Sequence, residues 1–500
     1  MRIEAILLAL LLAAIAPAVA SETAPDLVLE GTLDRRDHQR YRTVPFDVPA
    51  GTERITVEFD HDGREQKTTI DLGLLAPGGF ADPHGFRGWS GGNKRSFTVS
   101  STDATPSYLP GKIEPGRWSL LLGIPNIRPE SVTHYSARVW FGRADMPYRE
   151  PQSFAPPLRD GDGWYRGDLH LHDAHSDGSC RSQNGAKVPC PVFLTAQAAV
   201  ARGLDFIAIT DHNTTSHANA IRELQPYFDR LLMVPGREIT TFSGHANLFG
   251  TVAPLDFRVA EGRDWNDVLR DAQRLGGVVS INHPIRPSGE RCMGCGWTPS
   301  PAADPALLQA VEVVNGADAD TPYSGIPFWH AQLDAGHRLT AIGGSDNHDA
   351  GQSLSGHGGG AIGQPTTVVR ARALSMPAIL DGLRAGEVFV DVQGSRDRAL
   401  SMQARAGQRS ASMGGAIVVR EGETARFRIA TGHVRGARVT LWLDGRDATA
   451  LLADAAIASD AHTLAFDWKG DGRAHWLRAD VRGPDGTLWL IGNPVYITVR

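Results

Sequence analysis

Phe206-Ile207-Ala208-Ile209-Thr210-Asp211-His212-Asn213 is a short apolar run that ends in an acid and an imidazole. A run of this length, bounded by polar residues, predicts a strand buried on both faces. Similar runs lie at 231–234, 278–282, 311–315 and 339–342, and helical spacing lies at 265–275 and 376–384. Strands alternating with helices predict a parallel architecture of the α/β class over residues 160–395.

The polar residues of this region gather where the apolar runs stop. The first group is Gly167-Asp168-Leu169-His170-Leu171-His172, followed by His175-Ser176-Asp177-Gly178. Side chains two apart on a strand share a face, so His170 and His172 can grip one ion. The others are Asp211-His212; Glu238 with His245; Asn282-His283-Pro284; and Ser345-Asp346-Asn347-His348. A histidine at one strand end is usually structural. Groups at five carboxyl ends of one domain point instead to a shared mouth, where barrel loops converge. Imidazole with carboxylate suits zinc, manganese or iron, and no cysteine falls in these groups.

The order H-x-H, S-D-G, T-D-H-N, G-x-E, G-H, N-H-P, S-D-x-H resembles that of the PHP family, named for polymerase and histidinol phosphatase. The resemblance covers about residues 164–395, and the flanking regions are similar to its exported carbaryl-hydrolase-like branch. It implies a distorted seven-stranded, TIM-like β/α barrel with two or three divalent ions. By similarity, one ion takes His170, His172, Glu238 and Asp346. A second shares Glu238 and adds His245 and His283. A third takes Asp177, His212 and His348, with His175 as the substitute for Asp177. Asp211 is expected to orient its neighbours.

Outward from this core, residues 21–150 alternate short apolar runs with Gly- and Pro-rich turns, which predicts a β-sandwich. Residues 400–500 return to the same patterning and predict a second one. Residues 1–20 read as a secretory signal peptide: a charged start, an apolar run from Ala5 to Ile15 and the small-x-small site Ala18-Val19-Ala20. The expected location is periplasmic or secreted, with no membrane segment after cleavage. In that setting the four cysteines suggest the disulfides Cys180–Cys190 and Cys292–Cys295. Cross-pairing and a four-cysteine zinc site are the alternatives. A formal net charge of -6 without a long basic run gives nucleic-acid binding no support.

The expected chemistry is hydrolysis of a phosphate monoester or diester. A water between two cations that share Glu238 loses a proton near neutral pH and attacks phosphorus. Glu238 and Asp346 hold the catalytic ions. Arg286 and Arg181 are the first candidates to bind phosphate oxygens, ahead of Arg237 and Arg291. His217 or His330 is the candidate general acid, and the Gly-rich loop 355–360 with His357 is a candidate cover. A carboxylic or carbamate ester hydrolase is the alternative activity. A binding protein stabilised by metals, without catalysis, is the alternative class.

Overall fold

The computed structural model describes residues 24–92, 94–143, 157–259, 262–290, 292–352 and 360–499. The expected signal peptide, Arg291 and His357 lie outside the described residues. Among the described residues, no helix is long and apolar enough to cross a membrane.

The chain does not form the expected TIM-like β/α barrel. Among the described residues strand makes up 43% and helix 14%, with five short α-helices: too little helix to follow and cover every strand. The helices are α1 (Val192–Arg202), α2 (Ala218–Leu224), α3 (Trp265–Arg274), α4 (Ile326–Asp334) and α5 (Met376–Ala385). Their ends follow local chemistry. The Asp264 carboxylate caps α3 by accepting from the Asn266 and Asp267 amides, and the Ser375 hydroxyl caps α5.

The central strands join one 15-stranded sheet. From its edge the order is Thr340–Gly344, Ala310–Asn315, Val278–Ile281, Gly244–Phe249, Leu232–Thr241, Phe206–Ile209, Arg159–Asp168, Thr366–Leu374 and Val388–Asp391. Two features break the barrel pattern. Leu232–Thr241 turns straight back into Gly244–Phe249 as a tight antiparallel hairpin, with no room for a crossover helix. Gly244–Phe249 then pairs antiparallel with Val278–Ile281, although α3 lies between them. The edge strand Thr340–Gly344 is met by side chains rather than by a backbone ladder. Thr367 exchanges hydrogen bonds with Gly343 (2.8 and 2.7 Å), and the Asn493 amide clasps Ala341 (2.8 and 2.9 Å). These groups satisfy an edge that would otherwise expose unpaired amides.

Beyond Val388–Asp391 the same sheet runs into the C-terminal region through Leu488–Gly492, His475–Arg482 and Arg438–Leu443. There it packs on a four-stranded antiparallel sheet (Arg409–Ser412, Ala399–Ala406, Thr424–Gly432, Ala461–Lys469) around Phe427, Ile429, Leu441 and Val481. At the N-terminal side, two four-stranded antiparallel sheets enclose Phe46, Leu72, Trp118 and Val139. That region is tied to the centre by Asp103, which pairs with Arg222 of α2 at 2.8 Å, and by the Ala104 amide, which donates to Asn219.

Candidate metal centre

The strand Arg159–Asp168 delivers the first donors. His170 and His172 follow it with Leu171 between them, turned to the apolar side. Asp168 is buried, and its carboxylate accepts from the amides of His170 (3.2 Å), Ser345 (3.0 Å) and Gly363 (2.7 Å). Three segments far apart in the chain are thus fixed at one point. Two donors sit in the left-handed region, His283 (φ 27°) and Asp346 (φ 53°), a backbone cost that recurs at functional sites. Gly344 is required by close approach: a Cβ there would lie 2.5 Å from both Glu312 Oε1 and His170 Cβ.

Glu238 stands at the middle. Its Oε1 lies 3.5 Å from His170 Nε2, 3.2 Å from His245 Nδ1 and 3.4 Å from His283 Nε2, and it accepts from Asn282 Nδ2 at 2.9 Å. Its Oε2 lies 3.7 Å from His172 Nε2 and 2.7 Å from His212 Nδ1. Asp346 Oδ1 is 3.4 Å from both His170 Nε2 and His172 Nε2. Asp177 Oδ1 sits between His212 Nε2 (3.5 Å) and His348 Nε2 (3.4 Å). The donors fall into three adjoining groups: His170, His172 and Asp346; His170, Glu238 and His283; and His172, Asp177, His212 and His348. His245 borders the second through Glu238.

Each imidazole has one nitrogen engaged by an outer partner and the other turned to these carboxylates, with His212 Nδ1 shared between Thr240 and Glu238 while its Nε2 faces Asp177. His170 Nδ1 meets Glu312 Oε1 at 2.6 Å, His283 Nδ1 the Cys295 carbonyl at 3.0 Å, and His245 Nε2 the Met293 carbonyl at 3.1 Å. His348 Nδ1 meets the Asp346 carbonyl at 2.9 Å, His212 Nδ1 the Thr240 hydroxyl at 2.8 Å, and His172 Nδ1 the Ser176 hydroxyl at 3.4 Å. Such partners fix the tautomer and aim of a metal-binding ring. The buried Nε2 atoms of His170 and His172 have no hydrogen-bond partner, which is costly unless something else binds them. The donor set and these orphaned nitrogens therefore fit divalent cations.

The electrostatics agree. Burial opposes charge on Glu238 and Asp346, but the surrounding imidazoles overcome it and hold both carboxyls well below their usual range. Burial likewise opposes charge on His170, yet Glu312, Asp346 and Glu238 raise it well above ordinary imidazole. His212 and His283 are raised against burial mainly by hydrogen bonding to Glu238, whereas burial pulls His172 down to about 4. Protons thus supply part of the positive charge that the acids demand.

Other expected residues land differently. Arg286 lies beside the centre: Nη1 is 3.3 Å from Asp346 Oδ2, and Nη2 pairs with Asp318 at 2.8 Å. Arg181 is close in sequence but is exposed on the hairpin Ser179–Arg181/Lys187–Pro189, where it donates to the Gly185 carbonyl; the structure does not bring it to the centre. Arg237 is buried against the Thr251 and Ala253 carbonyls. His330 accepts from Arg478 Nε at 3.0 Å and packs against Trp442 and Trp476 at the C-terminal junction, away from the donors. His217 is buried, with Nδ1 2.9 Å from Asp211 Oδ2. Asp211 also accepts from the Asp173 amide and the Ser176 hydroxyl, so it holds the loop that carries Asp177. His175 Nδ1 lies 2.7 Å from the Ser216 hydroxyl rather than on a donor group.

Cys292 and Cys295 are bonded to each other, so they offer no thiolate although they lie near His245. The expected Cys180–Cys190 bond is absent: both are buried free thiols, Cys180 inside one strand of the hairpin and Cys190 just after the other, and burial together with Cys180 pushes the Cys190 thiol up to about 12. Sequence reasoning missed Glu312, the acid behind His170. Its second oxygen accepts from the His283 amide (3.0 Å) and Asn315 Nδ2 (2.9 Å). The available signal was one acid inside the apolar strand Ala-Val-Glu-Val-Val-Asn, a placement rare without a partner. No protein-family model matches the chain, and neither does any of the curated proteins with which it was compared.

Proposed function

We propose that this protein is an exported, metal-dependent hydrolase of phosphate esters. One observation carries the reading: imidazoles from separate segments each have one nitrogen engaged and the other aimed at Glu238, Asp346 or Asp177. The motif order resembling the PHP family supports the same chemistry, although the fold lends that likeness no help. The bonded pair Cys292–Cys295 and the leader-like N-terminus support an oxidising compartment.

His170, His172, Glu238 and Asp346 would hold one ion, Glu238, His245 and His283 a second, and Asp177, His212 and His348 a third. Divalent cations there supply Lewis acidity and offset charge on phosphoryl oxygens. The chain's own part is positioning. Glu312 and Asn282 hold His170 and Glu238 from behind. Arg286 offers a permanently charged fork at the rim, fixed by Asp318, of the kind that takes paired phosphate oxygens.

Elemental analysis of the purified protein, followed by turnover of nitrophenyl phosphate, bis-nitrophenyl phosphate and naphthyl carbamate, tests the proposal. The expected result is about two to three zinc, manganese or iron ions per chain. Phosphate-ester turnover should vanish on chelation and return with metal. Activity confined to the carbamate rejects phosphate as the substrate class, and a metal-replete but inert protein rejects catalysis.

A further inference from the structure

The outer face of one N-terminal sheet carries a feature with no role at the metal centre. Strand Phe86–Ser90 pairs with Thr69–Leu75, placing Trp89 opposite Gly73. Thr69–Leu75 pairs with Gly116–Asn126, and that strand with Arg40–Val48, so Asp71, Gly123 and Tyr41 form the neighbouring row. Directly opposed residues share a face. The other face holds Leu72, Leu120, Leu122 and Phe46 of the core, so this one looks outward.

Trp89 lies flat on that outer face. A Cβ on Gly73 would be 2.6 Å from its Cε3, and one on Gly123 would be 2.6 Å from its Cη2. Glycines on two adjacent strands thus both lie against the same six-membered ring. Glycine inside a strand weakens it and marks a close approach; here it makes the seat for the indole. Tyr41 rises beside it, 74% exposed, with ring centroids 6.0 Å apart and planes at 60°. Asp71 flanks Gly123 on the side opposite Tyr41.

We propose that this face binds a saccharide, with a pyranose ring of a β-linked, equatorially substituted sugar lying on Trp89, Tyr41 as its side wall and Asp71 accepting from its hydroxyls. An aromatic face is electron-rich, and the axial C–H bonds of such a sugar present a matching positive face. A flat indole takes a flat ring, whereas an axial hydroxyl would hold the ring off. A carboxylate at the edge suits the equatorial ring of hydroxyls. A cation would also be drawn to an acid beside an aromatic face. Cation sites enclose the charge with ring faces, however, and Tyr41 is tilted and open. Shielding of the two glycines accounts for Trp89 and for one edge of Tyr41, whose Cε1 would lie 3.4 Å from a Cβ on Gly123, but it leaves the exposed remainder of the Tyr41 ring unaccounted for.

Calorimetric titration of the full-length protein with cellohexaose, xylohexaose and chitohexaose tests this, with a trimethyl-lysine peptide as the cationic probe. Saturable binding of at least one sugar is expected, roughly tenfold weaker in Tyr41→Ala and in Asp71→Asn. The melting temperature and metal content of Tyr41→Ala should be unchanged, which separates binding from folding and from the metal centre. Failure of all three sugars, sugar binding unaltered by Tyr41→Ala, or preference for the peptide overturns the proposal.

Discussion

The donors around Glu238 and those around Asp177 are of the same kinds, yet they sit in different solvents. The Glu238 side chain is 1% exposed, and His170, His172, His245 and His283 are nearly as buried; Asp177 is 59% exposed, with His212, which reaches Glu238 from the outer side, and His348 at 31% and 39%. His170, His245 and His283 are held from behind by a carboxylate or carbonyl, whereas Asp177 rides on a loop kept in place through Asp211. A buried carboxylate without positive charge is strongly disfavoured, and a hydrated one is not. The inner donors should therefore bind first and tightly, and the outer ones later and exchangeably.

The largest effect should come from the inner group. Glu238→Gln removes the charge shared by the two buried groups. Turnover should fall on the order of 10³-fold, the equivalent of several kcal/mol, with loss of the inner ions. Asp177→Asn should cost about one ion per chain and leave the inner ions bound. Elemental analysis of both variants decides the matter. If Asp177→Asn emptied the whole centre, the division into inner and outer groups would fail.

Much of the site was legible because a ligand set needs particular residue types where strands end. His170 and His172 were readable from their spacing, and His212, Glu238, His283 and Asp346 from apolar runs stopping at polar residues. The architecture was not, because strand direction depends on the connection. Thr241-Phe242-Ser243-Gly244 lies in a segment that alternation of strands and helices passes over, yet its turn reverses the chain and ends the parallel order. Arg181 shows the limit of proximity in sequence: one residue from buried Cys180, it faces the other way across its strand. Glu312 was hidden by the apolar residues that bury it, and a search for single acids in buried runs would have found it.

Glu312 sharpens the comparison, since it acts on the inner group without touching the outer one. Glu312→Gln keeps the shape but removes the charge behind His170. Affinity for the inner ions should fall about 10- to 100-fold, the usual cost of losing a partner of a metal ligand. The outer ion, measured by competition with a chelating dye, should be unaffected.

A pH series separates the metal-free from the loaded protein. His170, His212 and His283 are raised above 6.5 in the metal-free fold. Their contribution to stability is fully present below the unfolded value of 6.5 and is lost as pH rises through the folded values. His172, pulled down to about 4, titrates below that window. The loaded protein has the opposite sign, because ligands bind metal only when deprotonated. The melting temperature of chelated protein should fall above pH 6.5 while that of loaded protein holds or rises. Parallel curves would mean that these imidazoles do not face the ions.

The smallest effect tests whether the inner group depends on the loop beside it. The carbonyls of Met293 and Cys295 engage His245 and His283, and the Cys292–Cys295 bond closes the segment that presents them. The bond links residues only three apart, so it restricts little chain entropy and its influence is local. The double variant Cys292→Ser with Cys295→Ser should weaken inner-ion affinity by about threefold, less than Glu312→Gln does. The ring nitrogens still find the same carbonyls, but in a looser segment. The outer ion should not respond, because Asp177, His212 and His348 take no partner from 292–295. An equal loss at both groups would show that the two are coupled through the backbone, and burial would no longer explain their difference.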